Sequence, residues 1–197
     1  MLNTITASPS LVLQVPTEKV WMFTSLLQAG IHIKTDSGTS IGVFLEQLPG
    51  FSEEYIVDQV QTIFLNGTAT DDLKTPLVGE NPVLAISAAM PGLAGAIFRK
   101  NSLHAALRTT TESQDTTLDK QELTVCLKLF NAIARDRGEQ LLRQGVVMEN
   151  SSVIQFLTTR STLLPHITGI TIDNETITES GLISRLEQSH RLNIQVV

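Results

Sequence analysis

Apolar positions along this chain switch between helical and alternating spacing, and the switches predict most of its elements. Ser10–Val15 is β-rich, and Pro16 with Thr17 offers a helix start, with Thr17 as N-cap and Glu18 in the first turn. Val20, Phe23, Leu26 and Leu27 follow at helical spacing, and Gly30 is placed to stop the helix. Ile31-His32-Ile33-Lys34 alternates like a short strand that leaves His32 exposed, and Asp36-Ser37-Gly38 is turn chemistry. Ser40 can cap a helix through Leu48 with Ile41, Phe44, Leu45 and Leu48 on one face, ended by Pro49-Gly50. Ser52 heads a short acidic helix to about Gln59. Val60–Leu65 then reads as a strand, and Asn66-Gly67 is a strong turn signal. A further turn over Leu77–Pro82 leads to the apolar strand Val83–Ala88.

Thr109–Thr117 is a run of Thr, Ser, Gln and acids without an apolar residue, and reads as a linker. Beyond it, Leu118–Gln144 is predicted to form one long helix. Leu123, Leu127, Phe130, Ile133, Ala134 and Leu141 share its stripe, Cys126 lies beside that stripe, and Gly145 is the stop. Gly138 inside it costs about 1 kcal/mol relative to Ala and makes a bend or break there possible. The tail reads as strands at Val153–Thr158 and Ile167–Ile172, then a hairpin turn at Asp173-Asn174-Glu175 into Thr176–Thr178. A short helix over Ser180–His190 and a last strand, Leu192–Val197, complete it. No repeat at a fixed period is visible. The expected class is α+β, without a regular βαβ rhythm. Residues 1–108 would form an α+β region, 109–117 the linker, and 118–197 the long helix with a small α+β region, possibly in one continuous domain.

Gly38-Thr39-Ser40-Ile41-Gly42-Val43-Phe44-Leu45, Ile63-Phe64-Leu65-Asn66-Gly67 and the turn Leu77–Asn81 before Val83–Ala88 follow one another in a recognisable order. The block from Gly38 to Gly92 thereby resembles the β-grasp, ubiquitin-like sulfur carriers of cofactor biosynthesis. The resemblance implies a β-grasp-like mixed sheet in the N-terminal part. Those carriers work through a free C-terminal Gly-Gly; here the corresponding place reads Met90-Pro91-Gly92 and the chain continues to Val197. The resemblance therefore implies a topology and no sulfur transfer.

Composition narrows the classes. At 42% hydrophobic and 17% charged residues the chain can bury a core. Aromatics are only 5%, which argues against surfaces that stack sugars or bases. The net charge of −6 disfavours nucleic acid. Its distribution is uneven: eight acids face the single base Lys74 between Asp36 and Phe98, whereas Arg99–Val147 carries eight bases and six acids. Such bipolarity suits self-association or docking, or two ordinary solvated surfaces. The single cysteine excludes an intramolecular disulfide framework. Val83–Phe98 is too short to span a bilayer and Met1–Val15 does not read as a signal peptide, so a soluble cytoplasmic protein is expected, with no membrane partner.

The sharpest candidate site is the loop Gly92-Leu93-Ala94-Gly95 with Arg99, Lys100, His104 and Arg108 after it. Glycines admit backbone N–H groups close to an anion, and basic residues one turn apart would form a cationic strip beside them. The plainer alternative is a tight turn with close helix packing and solvent-facing cations. It is neither a P-loop nor a dinucleotide fingerprint. His32, His104, His166 and His190 have no ligand spacing, and Cys126 reads as a buried thiol. No cofactor is indicated. Two functions follow: a non-catalytic binding or assembly protein that uses the apolar Val83–Phe98 segment as a surface for a protein partner or a second copy, or a binding protein or enzyme for a small anionic metabolite at Gly92–Gly95.

Overall fold

The structure, a computed structural model, describes residues 8–90, 92–100, 102–103 and 121–197. His104, Arg108 and the expected linker 109–117 lie outside the described residues. The fold is mixed α and β, built on one ten-stranded sheet. Its strands are β1 (Ser10–Gln14), β2 (Ile31–Asp36), β3 (Thr62–Leu65), β4 (Thr68–Ala69), β5 (Val83–Ser87), β6 (Glu122–Phe130), β7 (Val146–Glu149), β8 (Gly169–Ile172), β9 (Glu175–Thr176) and β10 (Arg191–Val196). The order across the sheet is β4-β3-β5-β6-β2-β7-β10-β1-β8-β9, so strands from both sides of residues 109–117 interleave.

The helices are α1 (Ile41–Glu46), α2 (Glu53–Gln59), α3 (Gly92–Phe98), α4 (Asn131–Gln144), α5 (Asn150–Thr159) and α6 (Glu179–Leu186), with 3₁₀ segments at Thr17–Gln28 and Ser161–His166. Ser40 and Ser52 accept hydrogen bonds from the Val43 and Tyr55 N–H groups, as capping serines should. At the first 3₁₀ segment Pro16 precedes Thr17 and no side chain caps the start. Val20, Phe23 and Leu26 are all buried there, and their three-residue spacing is the period of a 3₁₀ turn.

Two elements differ from the sequence expectation. Glu122–Phe130 is a strand, so the expected long helix begins only at Asn131. Leu123, Val125, Leu127 and Leu129 are buried in strict alternation, a period-two signal that overrides the looser helical stripe. Val153–Thr158 belongs to α5, where Val153, Phe156 and Leu157 point inward at helical spacing. α4 runs unbroken through Gly138.

The sheet has an internal two-fold pattern that the sequence does not display. Read from either end, the pairings match: β4–β3 with β9–β8, β3–β5 with β8–β1, β5–β6 with β1–β10, and β6–β2 with β10–β7. The third of these matches is parallel and the others are antiparallel. At the centre β2 meets β7 with His32 opposite Val147. Individual hydrogen bonds repeat. The Asn66 N–H donates to the Val83 carbonyl while the Asn66 side chain accepts from the Val83 N–H; Asp173 and Ser10 do the same. The Cys126 N–H donates to the Pro82 carbonyl as that of Asn193 does to Pro9. Both hairpin turns, Asn66-Gly67 and Asp173-Asn174, hold two residues at positive φ, as a type I′ turn requires. Gly30 and Gly145 precede β2 and β7 at φ +115° and +92°. A Cβ on either would press on the equivalent neighbour, Cys126 or Asn193.

The two halves are thus copies of one arrangement. In the C-terminal half the place of β5 is filled by the N-terminal strand β1, between β8 and β10. One face of the sheet carries the fully buried residues, among them Leu13, Ile31, Ile86, Leu127 and Ile194. α4 packs on β5, β6 and β10 and on the first 3₁₀ segment, which in turn packs on β6.

Candidate functional site

Strand alternation sends every second side chain to the sheet's other face, and polar groups gather there where the halves meet. His32 on β2 places Nε2 3.2 Å from Oε1 of Glu149 on β7. Arg191, which faces Glu149 in the β7–β10 register, donates from Nε to the same oxygen at 2.7 Å. Cys126 on β6 lies opposite His32. The sequence expectation of an exposed His32 is corrected: its side chain is only 9% exposed, because a central strand has neighbours on both sides.

Burial and the Arg191 charge hold the His32 imidazole below its usual pKa, outweighing the Glu149 carboxylate, which pulls the other way. Its Nδ1 is buried without a hydrogen-bond partner. Burial pushes the Cys126 thiol up, against the nearby Lys128 and Arg191 charges. At neutral pH this leaves a neutral imidazole, a protonated thiol and a carboxylate already paired with a guanidinium. Such a group offers hydrogen bonds and paired charge to a partner.

The depressed histidine predicts a pH dependence. A native imidazole that resists protonation leaves the unfolded chain to bind the proton more readily below its ordinary pKa of about 6.5. Stability is therefore fully present above that pH and falls as the pH drops through it. Melting temperatures between about pH 7.5 and pH 5.5 should decline in the wild type and decline less in His32→Gln, where this linkage is gone.

The candidate residues of the sequence reading fall elsewhere. Gly92 opens α3 at φ +76° and is exposed; Gly95 is buried, and any Cβ on it would collide with the Met90 carbonyl oxygen. Close backbone approach therefore demands glycine at 95. Leu93 is 74% exposed. Phe98 packs on Phe64, with ring centroids 5.2 Å apart. Arg99 is exposed, while Lys100 turns back to α2 and β3: its N–H donates to the Gln61 carbonyl at 2.6 Å and its Nζ to the Val57 carbonyl at 2.9 Å. The structure thus brings Gly92, Gly95, Arg99 and Lys100 together on one short helix and its exit.

No known family, curated protein or solved structure matches this chain. The reading of its function rests on its own residues. Among the described residues no helix is long and apolar enough to cross a membrane, and no group of three or more His, Cys, Asp or Glu residues is placed to hold a metal ion.

Sequence reasoning missed the His32–Glu149–Arg191 group because its members come from three strands far apart in the chain. It also missed Asn150, which is 3% exposed and donates to the Leu186 and Ser189 carbonyls, tying the start of α5 to the turn before β10. Its one available signal was the polar residue opening a helix immediately after the strand-like Val146–Glu149.

Proposed function

We propose that this chain is a non-catalytic assembly protein that docks a second copy of itself on the sheet face centred on His32, Val147, Glu149 and Arg191. The observation that carries this reading is the face itself. Half-buried apolar side chains (Val12, Val83, Val147) stand among both signs of charge: Lys34, Lys128 and Arg191 with Asp36, Glu122 and Glu149. A surface carrying both signs in equal number can oppose itself after rotation, as an isologous dimer requires. The imidazole and thiol at its centre add hydrogen-bonding groups to that face.

Light scattering on the eluting protein across concentration and salt tests the proposal. The expected result is a molar mass that rises toward two chains with concentration and is lower in high salt, where surface charge pairs are screened. A single-chain mass at every concentration and salt would refute it.

A further inference from the structure

The two-fold pattern relates each half of the molecule to the other, and among the described residues one place is filled differently in the two. The Gln61 N–H donates to the Ser87 carbonyl and the Thr168 N–H to that of Gln14; the Thr70 N–H donates to the Ile63 carbonyl and the Ile177 N–H to that of Ile170. These bonds equate Gln61 with Thr168, Ile63 with Ile170 and Thr70 with Ile177. The same register, continued along the chain, equates Val57 with Leu164 and Asp72 with Glu179.

In the N-terminal half this place is filled from within the chain. Lys100 lays its backbone N–H on the Gln61 carbonyl and its ammonium on the Val57 carbonyl, beside Asp71 and Asp58. In the C-terminal half the equivalent residues, Leu164, Thr168, Ile170, Ile177 and Glu179, line a cleft of about 160 Å³. The reason is topological. β5 is followed by α3, which delivers Lys100, whereas its counterpart β1 is followed by the 3₁₀ segment Thr17–Gln28 under the other face.

We infer that this cleft is a receptor for a lysine-bearing segment of a partner polypeptide, whose side chain enters the place that Lys100 fills in the other half. The volume exceeds that of several waters, so a four-carbon ammonium arm has room. The apolar Leu164, Ile170 and Ile177 suit its methylenes, and the exposed Glu179 carboxylate complements its charge at the rim. The Thr168 carbonyl stands where that of Gln61 does; the Leu164 carbonyl, in the place of Val57, accepts from the Ile167 N–H and keeps its second lone pair for an ammonium donor. Pro165 stands where Asp58 does and Thr178 where Asp71 does, so Glu179, the residue after Thr178, is the carboxylate on which the cleft depends. The site shares no residue with the sheet face proposed for self-association and does not rest on that proposal.

The probe is a synthetic peptide copying residues 97–103, Ile-Phe-Arg-Lys-Asn-Ser-Leu, titrated into the isotopically labelled full chain and followed by amide chemical shifts. Saturable shifts are expected at Thr168, Ile170, Ile177 and Glu179. The same peptide with its lysine acetylated should bind about tenfold more weakly or worse, and Glu179→Lys should weaken the unmodified peptide to a similar degree, as loss of one charge-assisted contact predicts. Glu179 is exposed, so its replacement leaves folding intact. Absence of shifts at these residues, shifts at Val57 and Gln61 alone, or binding indifferent to acetylation and to Glu179→Lys would each overturn the inference.

Discussion

Leu129→Ala is expected to destabilise the protein by about 2–5 kcal/mol in urea unfolding, the usual cost of truncating a fully buried leucine. Leu129 is 0% exposed and stands on β6 opposite Ile86 of β5, on the face that α4 covers. Thr124→Ala, on the other face of the same strand, should cost about 1 kcal/mol or less. The pair separates the two conformations that the segment's sequence allows. A helix with Leu123, Leu127 and Phe130 on its stripe leaves Leu129 off that stripe and makes its truncation mild. A strand makes it severe. Near-equal effects at the two positions would contradict the strand.

The second large effect is expected at Gly138. In an isolated helix Gly→Ala gains about 1 kcal/mol, so the sequence alone predicts stabilisation. In the fold a Cβ at 138 would lie 2.9 Å from Thr24 Cβ and Cγ2 and 3.0 Å from Leu27 Cδ1. Those atoms belong to a buried 3₁₀ segment with little room to retreat. Overpacking of this kind costs about 1–3 kcal/mol, which exceeds the propensity gain, so Gly138→Ala should destabilise. Combining it with Thr24→Ser, which removes the crowding methyl, should recover part of the loss. The double-mutant cycle measures the coupling, and simple additivity would show that the contact is not the cause.

These cases show how far the sequence could be read. Capping serines, helical stripes and the Asn66-Gly67 turn are local signals, and α1, α2, β3, β5 and β10 lie where those signals put them. Errors arose where two periods competed. In Glu122–Phe130 leucines at both two- and four-residue spacing satisfied either template, and pairing with β2 and β5 decided for the strand. Gly138 reads as a breaker in one dimension and as a contact point in three. The duplication stayed hidden because spacing between equivalent residues changes from element to element, and because β1 reaches its half from the opposite end of the chain.

The site was less legible than the fold. Nothing local marks His32, Glu149 and Arg191 as neighbours, since a sheet order that places β7 between β2 and β10 is needed first. Of the two glycines in the loop, Gly95 packs against the Met90 carbonyl, in keeping with the plainer reading of a tight turn, while a Cβ on Gly92 would meet nothing within 4 Å. The direction of Lys100, inward to the Val57 carbonyl, depends on where α3 sits relative to α2 and could not be read from spacing.

Self-association is proposed on the sheet face, and Val147 is its centre, half-buried and opposite His32 at the seam. The most direct test compares the light-scattering mass of Val147→Lys with that of the wild type at matched concentration and low salt. The expected result is a mass rising toward two chains for the wild type and a single-chain mass for Val147→Lys, with melting behaviour showing that the variant is folded. A folded Val147→Lys that associates as the wild type does would contradict the proposal that this face holds the copies together.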